Sequence, residues 1–145
     1  MRKYLAILIA TIIVLSNTYI GHYYPPNGID FTPLVLIITS SIIAFGTKNL
    51  NIIWKSILVF TFAVLNDVLI KLYSGGTHDS EGLEWIHLFL YLGLLPSFGI
   101  LIYAAWRDKK ESKQNKIIAI CIFPMLLYIY LYFFYTLGLG KHYPI

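Results

Sequence analysis

IIWKSILVFTFAVLNDVLIKLY, residues 52–73, is followed by nine polar and glycine-rich residues and then by LEWIHLFLYLGLLPSFGILIYAAW, residues 83–106. At about 1.5 Å per residue each run rises some 30 Å or more as a helix, which matches the thickness of a bilayer's hydrocarbon core. Two such runs joined by a short link form an antiparallel hairpin. Lys55 and Arg107 mark one end of it, and Asp79, Glu81 and Glu84 mark the other.

The same sorting of charge extends over the whole chain. Five apolar runs are expected as membrane spans, at approximately 4–20, 31–46, 52–73, 83–106 and 117–137. Nine of the eleven Lys and Arg residues lie at the N-terminus or in the second and fourth connections: Arg2, Lys3, Lys48, Lys55, Arg107, Lys109, Lys110, Lys113 and Lys116. Five of the seven acids, Asp30, Asp67, Asp79, Glu81 and Glu84, fall toward the opposite side. Cations flanking membrane spans stay cytoplasmic. The reading is therefore an all-α integral membrane protein, a bundle of five transmembrane helices with its N-terminus cytoplasmic and its C-terminus extracytoplasmic. A single helical domain covers residues 1–145, and the expected location is a bacterial cytoplasmic membrane. No internal repeat, soluble domain or low-complexity segment interrupts it.

Composition agrees. Apolar residues make up 58% of the chain and charged residues 12%, about half the charged share of an ordinary soluble domain. The net charge of +4 suits anionic headgroups better than nucleic acid, because the cations cluster at span ends. The expected partners are membrane lipids, with a protein partner or a second copy of the chain beside them, and no nucleic acid. The single cysteine, Cys121, excludes an intramolecular disulfide. Arg2 and Lys3 before an apolar stretch resemble the start of a signal peptide, but 16–21 (SNTYIG) has no clean small-x-small cleavage pattern. The first span is read as retained.

Local signals fill in the helices. Asp30 or Thr32 is a candidate cap for the second span, with Pro33 in its first turn. Thr39, Ser40 and Ser41 are expected to hydrogen-bond between helices. Gly93, Pro96 and Gly99 predict a kinked fourth span closely approached by a neighbour.

Chemistry concentrates on the 52–106 hairpin. Asp67 lies about two turns before the connection, and Glu84 and His87 lie in the first two turns after it, so all three reach a common depth. Glu84 and His87 form an E-x-x-H step, a spacing used in carboxylate-bridged metal sites within bundles. His78 and Asp79 could complete a nitrogen and oxygen shell with Glu84 and His87 for zinc, manganese or iron. Asp67, Glu84 and His87 are then the candidate catalytic groups of a metal-assisted enzyme whose outward-facing pocket takes a lipid-like substrate.

A structural reading stands beside it. Asp67 and Lys71, four residues apart, can form an ion pair. Asp79 or Ser80 can cap the following helix, and His87 can latch onto a tyrosine of the fifth span. The chain is then a non-catalytic accessory, assembly or immunity protein. A proton or ion path is a third reading, weakened by the scarcity of ionisable residues in the inner halves of the last three spans.

Overall fold

A computed structural model describes residues 3–47 and 50–143. Among them it is helical throughout, with one two-residue strand pair. The helices are α1 (Lys3–Tyr23), a single turn α2 (Asn27–Asp30), α3 (Thr32–Gly46), α4 (Ile52–Tyr73), α5 (Ser80–Arg107) and α6 (Lys113–Phe134). Strand β1 (Gly76–Thr77) lies between α4 and α5 and pairs antiparallel with β2 (His142–Tyr143) after α6. Four helices, α1, α4, α5 and α6, are long and apolar enough to cross a membrane. Helix α3, at 15 residues, is shorter. The chain thus has the helix lengths and hydropathy of a small polytopic membrane protein. Arg2 and Lys48, two of the cations used to orient it, lie outside the described residues.

Helix α4 is the hub, packing against α1, α3, α5 and α6. Its Val59, Phe62 and Ala63 meet Leu36 and Ile43 of α3, Leu90, Leu94 and Leu101 of α5, and Phe123 of α6 in one continuous core. Helix α1 turns a stripe of Ala6, Ala10, Val14, Asn17 and Gly21 inward. That spacing of three and four keeps small side chains on a single face, which lets helix backbones approach closely in lipid. Helices α4 and α6 run parallel and in constant register. The Ser56 hydroxyl donates to the Ala119 carbonyl at 2.7 Å, and side chains at 67 and 71 reach residues 130 and 134, an offset of 63 each time.

Helix α5 is continuous through Pro96, and α3 supplies the expected close neighbour. A Cβ on Gly93 would stand 2.8 Å from the Pro33 Cα, whereas one on Gly99 would meet nothing within 4 Å. Other local expectations are corrected. Helix α3 has no side-chain cap, because the α2 turn precedes it directly and Thr32 donates to the Gly28 carbonyl instead. Thr39 and Ser41 bond to carbonyls of their own helix, at Val35 and Ile37. A hydroxyl that reaches back to the i−4 carbonyl has a partner already and leaves the interface to apolar packing.

Candidate functional site

Asn66 and Asp67 are consecutive residues of α4, so their side chains diverge by about 100° around the helix. Each enters a different buried network. Asn66 accepts from the Asn17 side-chain amide of α1 at 2.9 Å and donates to the Thr32 hydroxyl of α3 at 3.3 Å. Thr32 passes the chain of bonds on to Gly28 of α2 at 3.1 Å. Asp67 faces the other way. Its Oδ2 pairs with the Lys71 ammonium at 2.7 Å and accepts the Tyr130 hydroxyl of α6. Lys71 also donates to the Phe134 carbonyl at 3.3 Å and sits 5.7 Å from the Tyr130 ring centroid. Asp67 is 1% exposed and Lys71 0%, so this ion pair is fully withdrawn from solvent and lipid.

Several segments close over it. The His22 Nδ1 donates to the Tyr73 carbonyl at 2.9 Å, and the Gly75 amide donates to the Gly21 carbonyl at 2.9 Å, tying α1 to the end of α4. Past α6 the chain turns back over the α4–α5 connection. There His78 and the tail exchange backbone bonds, His78 N to Lys141 O at 2.9 Å and Gly140 N to His78 O at 2.8 Å. Gly138, at φ +86°, rests directly on the end of α4, where a Cβ would come within 2.4 Å of the Lys71 carbonyl oxygen. Only glycine allows that approach in that conformation.

The residues singled out from sequence are placed as follows. Asp67 lies in the buried ion pair. His87 of α5 is buried and stacks on Tyr135, with ring centroids 4.1 Å apart and planes 11° apart. Neither His87 ring nitrogen has a hydrogen-bond partner, and neither has Asp67 Oδ1. Glu84 is exposed on another side of α5, near Glu81, Trp85 and Leu88. Three residues along a helix turn the direction by about 60° net, enough to separate it from the inward-facing His87. Asp79 is exposed and caps α5, accepting the Gly82 amide at 2.8 Å. His78 is buried and hydrogen-bonded to Ser74, Nε2 to Oγ, at 3.0 Å. Among the described residues no group of three or more His, Cys, Asp and Glu side chains is arranged to hold a metal ion.

Tyr130 and Asn17 were not singled out from sequence, and Thr32 was expected only as a helix cap. Asn17 was legible there, since it is the one strongly polar member of the small-residue stripe on α1. Tyr130 was hidden among neighbouring tyrosines. Tyr128 and Tyr132 are 72% and 73% exposed, and only the helical phase relative to α4 distinguishes the buried one between them.

The fold and this cluster define a class: a small helical protein with the helix lengths and hydropathy of a polytopic membrane protein and a buried polar network at one end of the bundle. No protein-family model, curated protein or solved structure gives a match to this chain.

Proposed function

We propose that the chain is a five-span membrane protein, N-terminus cytoplasmic, in which the Asp67 network is a structural latch and the working surface is the outer side of the bundle. Its role in this reading is that of a non-catalytic accessory or assembly protein. The observation that carries it is the engagement of Asp67 by Lys71 and Tyr130 in an interior that the tail closes off. Ionisable groups inside a membrane are expensive to bury and persist where they do work. Here the work supported by the geometry is fixing α4 against α6 on one side and, through Asn66, against α1 and α3 on the other.

Five spans are supported by the continuity of α2 with α3. Phe31 donates to the Asn27 carbonyl and Val35 to the Phe31 carbonyl, both four residues back, so helical bonding passes through Phe31. Residues 27–46 together rise about 30 Å. The outer surface is supported as the working part by α6, which buries only Ala119, Phe123 and Tyr130 and leaves Met125, Tyr128, Tyr132 and Phe133 uncovered.

The orphaned atoms Asp67 Oδ1, His87 Nδ1 and His87 Nε2 favour a second reading, in which the cluster does acid–base or metal-assisted chemistry on a lipid-like substrate. Elemental mass spectrometry of the detergent-purified protein, beside a folded His87→Ala variant, separates the two. The latch reading expects no stoichiometric zinc, manganese or iron in either sample. Near-stoichiometric metal that disappears in the variant would replace it with the second.

A further inference from the structure

The opposite end of the bundle holds a cavity of about 580 Å³ that the latch does not involve. Its walls come from the end of α3 (Ala44, Phe45), the first turns of α4 (Lys55), and the end of α5 with the loop beyond it (Ala104 and 107–110). Four cations, Lys55, Arg107, Lys109 and Lys110, face it against one carboxylate, Asp108. One oxygen of that carboxylate is engaged locally, accepting the Lys110 amide at 3.0 Å. No ion pair joins any of the four cations to a described residue.

Lys55 is the informative member. The residue as a whole is only 6% exposed, yet it lines the cavity and its Nζ is not among the fully buried unpartnered atoms, so its stem is packed and its ammonium opens into the cavity. A cation at a concave site that three more cations also line adds to a local positive potential, which draws in an anion. Two alanines, Ala44 and Ala104, are also in the lining, and their small side chains leave room for such a group.

We infer that this cavity binds a phosphate-bearing anion, with Lys55 at its base and Arg107, Lys109 and Lys110 around its mouth. The source the surroundings favour is an anionic phospholipid. Phe45, in the wall, is 41% exposed and stacks edge-on with Tyr103, itself 56% exposed, at 6.1 Å. An acyl chain leaving the cavity sideways would run over these rings while the headgroup stayed among the cations. Arg suits bidentate phosphate contacts and Lys supplies point charge, so the set combines both modes. A free phosphate would use the same cations and none of the aromatic wall.

The test is native mass spectrometry of the full chain in non-ionic detergent, titrated in parallel with phosphatidylglycerol, phosphatidylcholine and inorganic phosphate. The expected result is one retained phosphatidylglycerol per chain and no comparable retention of phosphatidylcholine. Lys55→Met should weaken it about tenfold or more, the loss of one charge-assisted contact, and Lys55→Arg should restore it. The exposed triple variant Arg107→Gln, Lys109→Gln, Lys110→Gln should also weaken it, and serves if Lys55→Met does not fold. Retention of inorganic phosphate but not phosphatidylglycerol, lost in the same variants, would support the anion site and assign it to the free ion. Equal retention of phosphatidylglycerol and phosphatidylcholine, or retention that neither the Lys55 nor the triple variant alters, would overturn the inference.

Discussion

Tyr130 contributes a single hydroxyl to the cluster, and its position shows how a buried carboxylate is held and oriented. The Asp67 Oδ2 has two donors, Lys71 and Tyr130, while Oδ1 has none. Removing one donor from a charged acceptor costs about 1–3 kcal/mol when the acceptor stays buried. Tyr130→Phe keeps the ring that stacks on Phe134 and deletes only that bond. It should therefore lower the unfolding free energy in detergent by about that amount without changing helix content, read from denaturant titration and circular dichroism. An unchanged stability would mean that the hydroxyl bond adds nothing. The Asp67–Lys71 pairing was legible in sequence because it is local, one turn apart on the same helix. Tyr130 was not, because its partnership depends on the long-range register of α6 against α4.

Helix pairs are set by a few points of close approach, and α3 against α5 has the clearest one. Gly93 lies where a methyl group would press on the Pro33 backbone and on Leu36, while Gly99, six residues on, borders open space. Gly93→Ala should destabilise by about 1–3 kcal/mol through overpacking. Gly99→Ala should be neutral or stabilising by up to about 1 kcal/mol, since alanine is the better helix former. Thermal melts of the two variants side by side check the contrast, and equal effects would refute the packing argument. The helices themselves were largely readable from apolar run length and from Gly and Pro punctuation. Their ends were readable only in part. Helix α1 runs to Tyr23, an end fixed by its neighbour through the His22 bond to Tyr73, whereas the start of α5 at Ser80 follows the Asp79 cap that the sequence offers. The α2 turn and the β1–β2 pairing also escaped the sequence reading, because each consists of a few polar residues without periodicity.

Across the whole molecule the two ends carry different chemistry. One presents Lys55, Arg107, Lys109 and Lys110; the other presents Asp30, Asp79, Glu81 and Glu84 above the buried latch. In the proposed orientation the basic end is cytoplasmic, as the positive-inside rule expects. In a Cys121→Ser background, Asp79→Cys should react with a membrane-impermeant maleimide on intact cells, and Lys110→Cys only after permeabilisation. The reverse pattern would invert the topology. Charge sorting makes this asymmetry legible in the sequence itself, whereas the inward or outward aim of each hairpin residue is decided by packing: Glu84 and His87 stand three residues apart but do not share an environment. The proposed latch makes Asp67 and Lys71 depend on each other. Its most direct measurement is a double-mutant cycle on unfolding in detergent, with Asp67→Ala, Lys71→Met and the pair combined. Each single variant should lose about 3–5 kcal/mol by leaving a buried charge or polar group uncompensated, and the combined variant should lose clearly less than their sum. Additive losses, or singles that unfold like the native chain, would contradict the latch.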